Sequence, residues 1–270
     1  MSKMLHLLPY SLLQDGRCRD LAGWGIVLFL LLSMPLMAKA GDTWLDLELA
    51  ETAVGRKAQV IRHVGYTTSY NSSLLIPNWV AYCLTAEEVD GQFPRPNKQF
   101  EPDPQAKGRS AANSDYAKSG YSRGHMAPAG DMKWNEQAML ESFYLSNICP
   151  QSAELNGGIW QRLENRCRAL AKEADLYICC GPIMPERPKR IGTNRVAVPS
   201  GFFKVLCMRR NGRWQAIGFM FPNEGCKGSM FDFSCSVDEV ERATGHDFFH
   251  NLPDNIESNI EASWRQKDWQ

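Results

Sequence analysis

The sequence predicts a mixed α+β domain. Apolar, β-branched runs come early, two segments with three-four apolar spacing occupy the middle, and strand-like runs return after them. With 44% hydrophobic and 22% charged residues, the 270-residue chain can build a sizeable core. It contains no internal repeat, and no composition shift argues for cutting it. The expected organisation is a leader at 1–40, a lead-in at 41–58 and one domain at 59–270.

The leader comes first in order. Lys3, Arg17 and Arg19 precede an apolar run, GWGIVLFLLLSMPLM at 23–37, and Ala38-Lys39-Ala40 has the small-x-small form of a signal-peptidase site. The expectation is a signal peptide cleaved after Ala40, a periplasmic or secreted product, and no stable membrane span after cleavage. A retained anchor is the alternative, but Ser33 and Pro35 interrupt the run, which falls short of the ~18–20 apolar residues a span needs.

Taking residues 1–40 from the 30 basic and 30 acidic residues removes four and two, leaving 26 against 28. Bulk charge therefore does not argue for nucleic acid, and phosphate binding would need basic groups gathered locally. Arg187-Pro188-Lys189-Arg190 and Arg209-Arg210 are local basic stretches, each with a solvated loop as its bland reading. Nine cysteines less Cys18 leave an even eight, compatible with disulfides in an exported protein. The absence of a C-x-x-C pair argues against a zinc ribbon. Cys226 and Cys235 flank a Gly-rich loop and are the expected bridge, whereas adjacent Cys179 and Cys180 read as buried thiols.

Strands are expected at 59–70 (QVIRHVGYTTSY) and 78–84 (NWVAYCL). The Pro-, Gly- and charge-rich segment 90–112 is a long loop, and long loops inside compact domains tend to carry function. Helices fit 134–145 and 158–174, the second with an apolar stripe of Ile159, Trp160, Leu163, Cys167, Leu170 and Ala171. Strands recur at 176–180, 196–208 and 214–221. Ser236-Val-Asp-Glu has the capping-box form that opens a last helix.

Chemistry concentrates in GYSRGHMAPAGD at 120–131, which holds one of the five histidines. Imidazole exchanges a proton near neutral pH, and Arg123 sets a permanent cation beside His125. That pair suits attack on a phosphodiester, with the imidazole taking a proton from water and the guanidinium donating to phosphate oxygens. An isolated R-G-H is more often a turn with a surface ion pair. Downstream, Asn147, Asn156 and Glu164 lie around a helix start, and their oxygens are hard donors suited to Mg²⁺. Asn156 is expected just before the helix, with Glu164 two turns and about 80° further on, addressing one region. Each also has a plain reading: Asn156 as an N-cap, Glu164 paired with Arg168, Asn147 satisfying a turn.

Together these stretches resemble the DNA/RNA non-specific endonucleases of the ββα-metal superfamily. Ser122-Arg123-Gly124-His125 matches a D-R-G-H signature, and residues 146–164 match S-N-x-x-P-Q…L-N-x-x-x-W-x-x-L-E. The likeness runs from about residue 60 to 249 through NWVAY, RPNKQFEPDP, YICCGP and VAVPSGFFKV. The resemblance implies a ββα-metal fold on a central, mainly antiparallel sheet flanked by helices, with His125 on a strand. From the residues alone, Pro128 and two glycines argue for a loop there. It further implies hydrolysis of DNA and RNA, with His125 as general base and Asn156 as direct ligand of Mg²⁺ (Mn²⁺ or another divalent ion as alternatives). Glu164 would act through the ion's waters, Asn147 would support the site, and Arg123 would contact phosphate or fix the loop. An upstream arginine on phosphate is expected at Arg95, with Arg109 as fallback. A homodimer stays open. Ser122 departs from the usual aspartate, keeping a hydrogen-bonding oxygen but losing a charge. The competing readings are a phosphodiesterase for small substrates and a catalytically silent binding relative.

Overall fold

The structure is a computed structural model and describes residues 46–97 and 99–270; the expected leader and its cleavage after Ala40 lie outside the described residues. The strand-forming stretch at 59–70 is two strands, not one. β1 (Ala50–Glu51) precedes β2 (Gln59–Arg62) and β3 (Thr67–Asn71), and a turn at Val64-Gly65 separates the last two, closed by the His63 N–H donating to the Tyr66 carbonyl. β4 (Ile76–Leu84) follows, then α1 (Ala86–Val89) with Thr85 as its cap.

β5 (Ser122–His125) carries the histidine, so the strand implied by resemblance is present and the loop read from Pro128 is displaced to a 3-10 turn at Ala129–Asp131. α2 (Glu136–Glu141) is shorter than the expected 134–145, because the Asn135 side chain caps it and the backbone is extended again by Tyr144. β6 (Ile148–Gln151), α3 (Ala153–Asn156) and α4 (Ile159–Ala171) follow in immediate succession. Next come β7 (Leu176–Ile183), β8 (Arg190–Ile191), β9 (Val196–Ala197), β10 (Gly201–Arg210) and β11 (Arg213–Pro222). Pro199-Ser200 breaks the expected strand at 196–208 into β9 and β10. The chain closes with β12 (Ser234–Cys235), α5 (Val237–Thr244), β13 (Asp247–Phe248) and α6 (Asp254–Glu261). The capping box at Ser236 forms as expected, with the Glu239 N–H donating to Ser236 Oγ and the Ser236 N–H to Glu239.

The main sheet has seven strands in the order β12-β11-β10-β7-β4-β3-β2, and every neighbouring pair is antiparallel. Alternation along its central strands sends successive side chains to opposite faces. Val80, Tyr82, Ile178, Cys180, Phe202 and Leu206 join the α4 stripe in one core. Trp79, Ala81, Cys179, Phe203, Val205 and Cys207 join Val237, Val240 and Ile260 in the other. The neighbouring thiols Cys179 and Cys180 are thus buried on opposite sides of one strand. β1 pairs with β13, which builds the lead-in from residue 46 onward into the second core through Leu47 and Ala50.

The expected Cys226–Cys235 disulfide is not formed. All eight described cysteines are free. Cys226 sits in a half-exposed loop and directs its thiol to the Glu224 carbonyl, while Cys235 is held on β12 opposite Gly218, next to Val240. Among the described residues no helix is long and apolar enough to cross a membrane.

Candidate active site

β5 and β6 form a short antiparallel ribbon, with His125 opposite Ile148 and Gly124 opposite Cys149. The glycine is required by close approach: a Cβ at 124 would lie 2.6 Å from Gln151 Cβ. Arg123 and His125 share the opposite face of the strand by the two-residue period. α3 packs against both β5 and α4, so two strands and a helix close into one unit beside the sheet. Asn156 does not cap the long helix. The Ser152 hydroxyl caps α3 by accepting from the Leu155 N–H at 3.1 Å, Asn156 is the last residue of that turn, and Gly157-Gly158 breaks the chain before α4. The phase argument linking Asn156 to Glu164 along one continuous helix therefore does not hold; the packing of α3 onto α4 takes its place.

The His125 ring is half-buried between Phe100, 5.2 Å away, and Phe143, 5.6 Å away and edge-on. Two guanidinium groups lie over the same aromatic pair: Arg95 over Phe143 at 5.1 Å, Arg123 over Phe100 at 5.6 Å and over Tyr116 at 5.5 Å. Burial, with Arg95 as the second cause, pushes the imidazole down to about 3, so the ring is neutral at neutral pH. Its Nε2 is buried and has no hydrogen-bond partner. Such orphans are uncommon in native proteins. The aromatic partners were not found from the sequence, because Phe100 lies in a loop and Phe143 in the turn after α2, and only the fold brings them together at His125.

The loop at 90–112 reaches the imidazole because it is tied down. Asp103 is buried; its Oδ2 accepts from the Ser146 hydroxyl at 2.6 Å and lies 3.0 Å from His63 Nε2. Glu101 accepts from the Leu145 N–H at 2.8 Å, and the Phe93 N–H donates to the Lys133 carbonyl at 2.8 Å. Arg109 is directed elsewhere, donating to the Asn194 carbonyl at 2.6 Å. Of the two upstream arginines, the fold brings Arg95 to His125 and leaves Arg109 beside the turn before β9.

Asn147 is fully buried, with both amide N–H donors and the amide oxygen engaged. Its Oδ1 accepts from the Ala127 N–H at 2.8 Å, and its Nδ2 donates to the carbonyls of Ala127 at 2.8 Å and Ser142 at 2.9 Å. It clamps the backbone just after His125. Asp131, at the end of the same motif, is likewise buried, accepting from Tyr82 OH at 2.9 Å and from Arg168. Arg168 therefore pairs with Asp131 and Asn165 instead of standing as the i+4 partner of Glu164.

Glu164 lies on α4 above Lys204. Burial raises its carboxyl to about 7, with Lys204 the strongest opposing influence. Lys204 is fully buried on β10, opposite Cys180, and its ammonium sits 4.7 Å over the Trp160 ring. Burial works against that charge, but Cys180, Cys167, Glu164 and Asp131 together hold it above the usual lysine range. Of the basic stretches, Lys189 lies over Tyr121 at 5.4 Å, next to β5, while Arg210 is spent on Glu173 and the Asp268 carbonyl.

A family model for DNA/RNA non-specific endonucleases matches residues 47–255. The chain belongs to that family. It is 39% identical over 207 residues to "Nuclease EXOG, mitochondrial" of Danio rerio, covering 70% of this chain and 60% of that protein. Human "Endonuclease G, mitochondrial" is 32% identical over 220 residues, covering 76% and 74%. A solved EndoG/EndoGI complex superposes with a TM-score of 0.69 at 31% identity, covering 73% of this chain and 88% of that one. The chain thus spans about 60% of the length of the Danio rerio relative. The α+β ββα-metal fold expected for this endonuclease family is the fold observed. The relatives also correct the localisation: these EXOG and endonuclease G proteins are named as mitochondrial, which overturns the periplasmic or secreted assignment.

Proposed function

We propose that this protein is a divalent-metal-dependent endonuclease that hydrolyses phosphodiester bonds in DNA and RNA without sequence preference. The observation that carries the reading is the neutral, unpartnered His125 Nε2 set between aromatic rings and two guanidinium groups. His125 Nε2 takes a proton from the attacking water, and the charge it gains is offset by the phosphate it faces. Arg95 and Arg123 donate to the non-bridging phosphate oxygens. These contacts read the backbone and not base edges, which suits cutting without sequence preference.

The donor set at α3 and α4 fits a hard divalent ion. The Asn156 carboxamide has no hydrogen-bond partner among the described residues, and a carboxylate from Glu164 stands on the adjoining helix. Asn156 would hold Mg²⁺ directly and Glu164 through the ion's waters. When bound, the ion stabilises charge on the phosphate and on the leaving oxygen. Asn147 and Asp131 keep the His125 segment and α4 in register, and Lys204 supplies the buried positive charge under Glu164. The names of the relatives support a mitochondrial setting. The homodimer expectation is retained and is checked by sedimentation.

Supercoiled plasmid, single-stranded RNA and bis(p-nitrophenyl) phosphate offered with Mg²⁺ test the reading. Cleavage of both polymers at rates far above the small diester is expected. Preference for the small diester would favour the phosphodiesterase alternative, and metal-independent binding without product would favour the silent one.

A further inference from the structure

A second cluster of carboxylates lies away from β5 and α3, where α5 meets α6. Asp238 and Glu241 stand three residues apart on one face of α5, and Glu261 ends α6. One carboxylate oxygen from each lies within 4.8 Å of the other two. An acidic surface patch alone would mean nothing, but Glu261 is not on the surface: it is 5% exposed, and its Oε1 is buried without any hydrogen-bond partner. The four charged groups acting on it most strongly, Glu241, Glu257, Asp247 and Asp238, are all acidic. Glu241 is fixed at one oxygen by the Phe248 N–H at 3.0 Å, which leaves the other free to ligate.

We propose that Asp238, Glu241 and Glu261 form a structural site for a divalent cation of the calcium type, joining α5 to α6. Three carboxylate oxygens this close can share one ion, and a donor set made only of carboxylates on two helices suits Ca²⁺, which accepts flexible all-oxygen coordination, better than Mg²⁺, which demands near-ideal octahedral geometry and keeps most of its waters. An isolated carboxylate in a half-buried position is costly, and several together more so, unless a cation or a proton neutralises them. The cation would pin α6, and with it the second core, onto β11. This site is independent of the nuclease reading, because neither helix contributes to the His125 face.

The test is thermal unfolding of chelator-stripped full chain in the Asn156→Ala background, which removes the expected catalytic metal ligand, with and without 10 mM CaCl₂. A site with Kd near ~10⁻⁴ M raises the midpoint by about 5 °C. Calorimetric titration with CaCl₂ is expected to give one binding event. Glu261→Gln and, separately, the less buried Asp238→Asn are expected to abolish both signals while leaving Mg²⁺-supported nicking of the otherwise wild-type chain unchanged. If CaCl₂ moves neither midpoint, or moves parent and Glu261→Gln equally, the proposal is overturned and a proton neutralises Glu261 instead.

Discussion

Asn147 and Asn156 bracket β6 and α3, and the two amides have opposite surroundings. Asn147 is buried with three hydrogen bonds to main chain, and Asn156 ends α3 with its carboxamide unengaged among the described residues. The difference separates a clamp from the proposed ligand. A satisfied amide in the interior fixes geometry and has nothing left to offer a substrate. An amide left open on α3, which packs against β5, is available to a metal. The same contrast separates Arg109, engaged by Asn194, from Arg95, placed over Phe143 beside the imidazole.

The largest expected effect tests the open side of this comparison. His125→Ala should lower plasmid nicking by about 10³-fold with little change in the unfolding midpoint, since general-base groups contribute roughly 10²–10⁴-fold. On the closed side, Asn147→Ala should cost about 3 kcal/mol of stability, because it leaves buried main-chain groups unpaired. Its activity per folded molecule, measured at low temperature, should stay within about tenfold of wild type. A stable Asn147→Ala protein with no activity would erase the distinction between clamp and ligand. Arg95→Ala should raise KM about tenfold through loss of a charge-assisted contact to phosphate, whereas Arg109→Ala should change it by no more than about twofold.

A smaller effect comes from pH. The native His125 ring resists a proton down to about 3, while the unfolded ring takes one near 6.5. Between those values the unfolded state binds more protons, so native stability falls as pH drops from 6.5 and is regained on returning above it. Melting between pH 7 and 5 should show a decline that is shallower in His125→Asn by roughly 2–4 °C.

How much of this could be read from residues alone varied with the kind of signal. The α4 stripe, the capping box at Ser236 and the central strands were legible because period and caps are local properties. Breaks made by Gly65, Pro199 and Gly157-Gly158 were not, since each depends on what packs nearby. His125, Asn156 and Glu164 stood out by motif and resemblance, but the residues that set their surroundings did not. Phe100, Phe143, Asp103 and Lys204 come from distant segments and meet only in three dimensions. The Cys226–Cys235 bridge failed for the same reason, because flanking a loop does not set two thiols face to face. The stretch at 1–40 was read as an export signal from its charge and apolar run and lies outside the described residues; the periplasmic or secreted localisation drawn from it is what the mitochondrial relatives overturn.

The central claim is that the open amide at Asn156 holds the ion on which cleavage depends. Mg²⁺-titrated plasmid nicking by Asn156→Ala, beside wild type and normalised to folded protein, tests it most directly. The account predicts that saturating activity falls by at least about 10²-fold and that the Mg²⁺ midpoint moves to higher concentration. A variant with wild-type activity and an unchanged Mg²⁺ midpoint would contradict it.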